Sequence, residues 1–229
     1  MKSNNAILEL IKSKLVVSCQ ALPEEPLHSS FIMGRMAIAA KQGGAAGIRA
    51  NSVVDIHEIK KQVDLPIIGI IKQVYEGYDV FITPTLKEID ALYQEGVDMI
   101  ALDATDRPRP DGSTIEELFP LLRQRYGDQL FMADCSTYEE AVKAAELGFD
   151  CVATTLSGYT EATRGQSLPD FDMVEKLVGS VSVPVIAEGG ISTPEELKRM
   201  FDLGIHSAVV GSAITRPLEI TKRFVQAVI

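Results

Sequence analysis

The chain has 229 residues, of which 46% are hydrophobic and 24% charged, and its formal net charge is −10. This length suits one large domain or two small ones, with the balance of an ordinary globular protein. The acidity argues against a nucleic-acid or anionic-membrane partner, and no run approaches the ~18 apolar residues of a membrane span. A few fixed cations and backbone N–H groups can nevertheless hold a phosphate inside an acidic protein.

The first residues, MKSNNAILELIKSKL, place apolar side chains at helical spacing and predict a helix over residues 1–14. They lack the continuous apolar core of a signal peptide, so a cytoplasmic protein is expected. Strand candidates follow in the order LVVSCQ, GIRAN, PIIGIIK, MIALDAT, LFMADC, CVATTL, PVIAEGG and SAVVGSA, with helical stretches between them. Four of these strands follow a marker glycine, Gly44, Gly96, Gly148 or Gly204, spaced by 52, 52 and 56 residues. Each glycine fits the position after a helix C-terminus, where φ > 0 is required. Eight strands alternating with helices imply a parallel sheet, and one βα unit per about 28 residues implies a single (β/α)₈ (TIM) barrel over residues 1–229. A doubly wound sheet would call for a glycine-rich fingerprint after the first strand, but CQALPEEPL stands there.

Period two along the odd strands places Val16, Ser18 and Gln20 on one face, then Ile68, Ile70 and Lys72, then Met132 and Asp134, then Ile186 and Glu188. Each series ends polar, so Gln20, Lys72, Asp134 and Glu188 are expected in one layer at the C-terminal mouth, where barrel active sites sit. Arg49 is expected at the C-terminal end of strand two and Asp103 at the end of strand four. Lys72 closes the apolar run PIIGIIK, and desolvating its charge is costly. A residue placed there at such a cost points to chemistry. Strand seven runs into EGGIST and strand eight into GSAITRP. Gly189, Gly190, Gly211, Ser212 and Arg216 therefore make a candidate phosphate site of the kind found after strands seven and eight of barrels. Cys19, Cys135 and Cys151 have no metal-ligand spacing and read as reduced, buried thiols. His28, His57 and His206 share no motif and read as surface or packing residues.

Across SCQALPEEPLH, GIRAN, PIIGIIK, ALDATDRPRP, ADCST, SGYT, IAEGGIST and GSAITRP, the chain resembles the bacterial N-acetylmannosamine-6-phosphate 2-epimerases of sialic-acid and amino-sugar catabolism. The resemblance implies interconversion of N-acetylmannosamine 6-phosphate and N-acetylglucosamine 6-phosphate without cofactor or metal, by a homodimer. It implies Lys72 and Glu188 as the catalytic pair, and Gln20, Arg49, Asp134 and Arg216 as substrate contacts. Inversion at C2 needs the ring opened to an aldehyde, a base at C2, support for the oxyanion at O1, and a proton returned to the opposite face. Lys72 is the candidate base, Arg49 and Gln20 hold O1 and the acetamido group, and Asp134 holds a hydroxyl. Either Lys72 and Glu188 serve opposite faces, or Lys72 handles both transfers while Glu188 assists ring opening. A Schiff-base aldolase and a non-catalytic phosphosugar-binding module are the alternatives.

Overall fold

The computed structural model describes residues 4–229. The expected N-terminal helix runs over Asn4–Ile11 (α1), and residues 1–3 of that expectation lie outside the described residues. It ends before residue 14 because Ser13, at φ 55°, turns the chain toward the first strand. The strands are β1 (Leu15–Cys19), β2 (Gly47–Asn51), β3 (Ile67–Ile70), β4 (Met99–Asp103), β5 (Leu130–Asp134), β6 (Cys151–Ala153), β7 (Val185–Glu188) and β8 (Ser207–Val210). All pair in parallel in sequence order, and β8 returns to β1 through Val16↔Val209, so the sheet closes into a (β/α)₈ barrel. The interstrand helices are α2 (Ser30–Gln42), α3 (Val53–Gln62), α4 (Leu86–Glu95), α5 (Ile115–Arg125), α6 (Tyr138–Leu147), α7 (Phe171–Val178) and α8 (Pro194–Asp202). Beyond β8 come a short α9 (Ser212–Thr215) and α10 (Pro217–Gln226), which buries none of its residues.

Local sequence explains these boundaries. Helices α4, α5, α6 and α8 each open on a Thr-x-x-Glu capping box: Thr85 with Glu88, Thr114 with Glu117, Thr137 with Glu140, and Thr193 with Glu196. The threonine oxygen and the glutamate carboxylate satisfy amides that a helix start leaves unpaired. The four marker glycines all have positive φ, from 70° to 97°, a conformation that costs glycine little and other residues more.

Two apolar layers result. The outer one, between strands and helices, contains Ile48, Leu102, Phe131 and Val152 together with helix residues such as Ile59, Leu92 and Phe119. The inner one fills the barrel with Val16, Ile68, Ile70, Met99, Met132, Cys151, Ile186 and Val209, and Ile7 and Ile11 of α1 join it from the N-terminal end. The alternation read along the odd strands is therefore the true inward face. Among the described residues, no helix is long and apolar enough to cross a membrane.

Candidate active site

The polar ends of the inward faces meet in a buried charge network. Arg49 lies in the middle of β2 and not at the strand's end as expected, and its long side chain reaches to Asp134 and Glu188. It donates from Nη1 to Asp134 Oδ1 at 3.0 Å, from Nη2 to Asp134 Oδ2 at 2.6 Å, and from Nη1 to Glu188 Oε2 at 2.9 Å. Burial alone would lower the guanidinium pKa, but the two carboxylates outweigh it and raise the value above its ordinary level. Asp134 is fully buried, and its oxygens are taken by Arg49 and by the Thr155 hydroxyl at 2.6 Å. It sits beneath the cavity and does not line it. Breaking a pair of this kind from one side costs about 3–5 kcal/mol, because an unpaired buried charge remains.

Above this network, at the C-terminal mouth, is a cavity of about 300 Å³ lined by Gln20, Arg49, Lys72 and Glu188, with Ile70, Phe81, Ile82 and Leu156 as its apolar wall. Glu188 closes β7 and Lys72 lies just beyond the end of β3, four strands away in a closed eight-stranded barrel, so the two come from facing walls. The Lys72 amine makes no hydrogen bond to a described residue. Burial, reinforced by Arg216 and Arg49 and opposed by Glu188 and Glu25, brings it down to about 8. Burial pushes Glu188 up to about 7, against the pull of Arg49, with Asp134 adding to the rise and Thr155 and Lys72 opposing it. Glu188 Oε2 receives Arg49 and, at 3.2 Å, Thr155; Oε1 is left to face the cavity. The Thr154 hydroxyl fixes the Glu188 main chain, accepting its N–H at 3.1 Å and donating to its carbonyl at 2.8 Å.

Two buried polar atoms of this cavity have no partner among the described residues: Gln20 Oε1, an acceptor, and Arg49 Nε, a donor. Unsatisfied groups of this kind are rare in proteins and each calls for an explanation.

The same cavity is lined by Gly189, Gly190, Gly211, Ser212 and Arg216. Gly190 has φ 73°, and a Cβ there would fall 2.4 Å from Leu168 Cβ, so no other residue fits the turn without moving the neighbouring loop. Arg216 pairs through Nη2 with Glu25 at 2.7 Å. Arg223 of α10 also borders the cavity and lies 3.4 Å from the Ser192 carbonyl.

The structure keeps Asp103 out of the cavity lining. Its carboxylate is fully buried and held by Thr105 and by Arg107 at 2.5 Å. The three cysteines are free and buried, and burial drives each thiol up, Cys19 to about 12, so none is a reactive thiolate. The histidines serve packing and surface contacts: His28 meets the Ala21 carbonyl, His57 meets Glu95, and His206 meets the Leu8 carbonyl. Sequence reasoning missed Thr155, Glu25 and Arg223. Thr155 continues the inward parity of Cys151 and Ala153, so period two applied to the even strands would have found it. Nothing in the local sequence marks Glu25 or Arg223.

A closed (β/α)₈ barrel whose C-terminal mouth gathers a lysine and a carboxyl group in one buried cavity has the arrangement of a barrel enzyme. Comparison with known proteins then narrows the class. Residues 33–229 match the model of the NanE family, described as "Putative N-acetylmannosamine-6-phosphate epimerase". A relative from Enterobacter sp. is 59% identical over 97% of this chain and 95% of its own, and one from Clostridium perfringens is 58% identical over 95% and 98%. Both are described as "Putative N-acetylmannosamine-6-phosphate 2-epimerase". A solved structure of the Clostridium perfringens N-acetylmannosamine-6-phosphate 2-epimerase, 57% identical, superimposes with a TM-score of 0.92 over 96% of each chain. The chain belongs to the NanE family of epimerases.

Proposed function

We propose that this protein interconverts N-acetylmannosamine 6-phosphate and N-acetylglucosamine 6-phosphate by moving the C2 proton of the ring-opened sugar, with Lys72 and Glu188 as the proton-transfer pair. The observation that carries this assignment is the meeting of Lys72 and Glu188 in one cavity, where burial lowers the amine and raises the carboxyl toward each other. One group removes the C2 proton, the electron pair moves into the C1 carbonyl to give an enolate, and the other group delivers a proton to the opposite face. No net proton is consumed, and the pair is left with its single proton on the other member.

Facing walls favour two-sided transfer over a single lysine serving both faces. Gln20 and Arg49, which both line the cavity, are suited to the acetamido group and an adjacent oxygen. Arg49 also supplies the positive charge that an oxyanion at O1 requires. Asp134, for which the resemblance implies a hydroxyl contact, is better suited to anchoring Arg49, since its oxygens are already engaged. A Schiff-base aldolase and a non-catalytic sensor are not favoured, because the relatives are described as 2-epimerases. The test is NMR of N-acetylmannosamine 6-phosphate with the protein in D₂O. Deuterium at C2, appearing with the gluco epimer, is expected; a C2 proton retained through turnover would reject the mechanism.

The phosphate is assigned to Gly189, Gly190, Gly211, Ser212 and Arg216, supported by their common place on the cavity wall. The phosphate contacts act in the ground state and the transition state alike, so Arg216→Ala is expected chiefly to raise KM, with a smaller change in kcat from the loss of a cation that lowers Lys72. The rise should be roughly 10- to 100-fold, the scale of a hydrogen bond to a charged group. Steady-state kinetics, with inorganic phosphate as a competitive inhibitor that weakens in parallel, checks this; an unchanged KM would remove Arg216 from the phosphate site.

A further inference from the structure

Lys72 stands two residues beyond the last residue of β3, Ile70, and the β2–β3 ladder ends at Asn51↔Ile70. The barrel sheet therefore does not fix the lysine's main chain. A separate set of contacts does. Asn51, the buried last residue of β2, accepts the Lys72 N–H on Oδ1 at 2.7 Å. Residues 71–83 fold back on themselves: Lys72 bridges Ile82 in antiparallel fashion, and Gln73 N–H donates to the Phe81 carbonyl at 2.9 Å. Thr83 closes the fold by donating its N–H to the Ile71 carbonyl at 2.8 Å and accepting the Ile71 N–H on Oγ1 at 3.3 Å. Its hydroxyl also donates to the Ala101 carbonyl on β4 at 2.7 Å.

Thr83 is fully buried and adopts φ 48°. A β-branched residue in the left-handed region is a true outlier, and it persists only where the surroundings over-determine it. Here the over-determination comes from contacts to β4 and to the residue preceding Lys72. An unpaired amine on four flexible carbons is aimed only as well as the main chain that carries it.

We propose that Asn51 is a positioning residue for Lys72, a side-chain clamp that replaces the barrel ladder where β3 has ended, with Thr83 bracing the fold-back behind it. The inference rests on the reading of Lys72 as a C2 proton-transfer group. It assigns no substrate contact to either residue. The charged groups facing Lys72 are Arg49 of β2, Glu188 of β7, Arg216 after α9 and Glu25 in the loop after β1, and none of them is altered in the test.

The test uses Asn51→Ala, Asn51→Asp and Lys72→Ala in the full chain, followed by steady-state kinetics across pH. Asn51→Ala should lower kcat by about 10- to 100-fold, the scale of a misaimed catalytic group, while KM and inhibition by inorganic phosphate stay near wild type. Asn51→Asp is isosteric and keeps the acceptor, so it should recover most of that loss. Its carboxylate favours the ammonium form of Lys72, so the alkaline limb of its kcat/KM profile should move up. Wild-type kcat and pH profile in Asn51→Ala, with Lys72→Ala inactive, would overturn the clamp and leave the lysine assignment intact. Normal turnover by Lys72→Ala would instead overturn the assignment, and the clamp with it. Parallel loss of kcat, phosphate inhibition and thermal stability in Asn51→Ala would reduce the residue to a structural role and reject the proposal. If Asn51→Ala does not fold, Asn51→Asp decides alone, and an unshifted alkaline limb refutes it.

Discussion

Replacing Lys72 by methionine is expected to lower kcat by about a thousandfold, the middle of the range for removing a general base. Deuterium incorporation at C2 should disappear from the epimer whose C2 proton faces Lys72, because the same group makes and breaks the C–H bond on its face. The variant should stay folded and melt at a higher temperature than the wild type. The sign follows from linkage. Lys72 titrates near 8 in the fold and near 10.5 when exposed, so the unfolded chain binds its proton more tightly than the native state does. The resulting penalty is present in full below about 8 and is relieved as pH rises toward 10.5. The melting-temperature gain of Lys72→Met should therefore be largest at neutral pH and should fade as pH approaches 10.5. Normal epimerisation by this variant would leave the lysine as no more than a substrate-binding cation.

What the sequence revealed and what it hid divide along physical lines. The barrel was legible because each βα unit repeats the same local signals, a glycine at the helix end and an apolar strand after it. Strand alternation correctly gave which residues point inward, since a period of two is a local property of the backbone. It could not give depth. Arg49 and Asp134 face inward as expected, but Arg49 starts from the middle of β2 and reaches up. Asp134 is covered by Arg49 and Thr155 and so misses the cavity. Depth depends on strand stagger and on which long side chain lies over which short one, and pairs 85 and 139 residues apart decide it here. Glu25 and Arg216 are 191 residues apart, and a loop carries the acid to the arginine, so no periodicity announces the pair. The clamp on Lys72 was hidden for the same reason. Asn51 reads as one more strand end, and only the fold-back of residues 71–83 makes its side chain an acceptor for the lysine's N–H.

Glu188→Gln should also lower kcat by about 10²- to 10⁴-fold, and it separates the two proton-transfer schemes. With Glu188 near 7 and Lys72 near 8, the pair holds one proton between those values. The two singly protonated forms are the working states for opposite directions: Glu188 as base with Lys72 as acid, and the reverse. The apparent pKa values belong to the pair, so wild-type kcat/KM should be bell-shaped with limbs near 7 and 8. Activity falls below the first as Glu188 takes a second proton, and above the second as Lys72 loses the last. Glutamine preserves the shape and can still accept from Arg49, but it carries no proton to give. If Glu188 serves the second face, the variant should still wash deuterium into C2 of one epimer without forming the other, and its profile should lose the acid limb. If Glu188 only opens the ring, exchange and epimerisation should fall together, and a substrate supplied already open should rescue both. An acid limb retained in Glu188→Gln would assign that limb to another group and remove Glu188 from the proton-transfer pair.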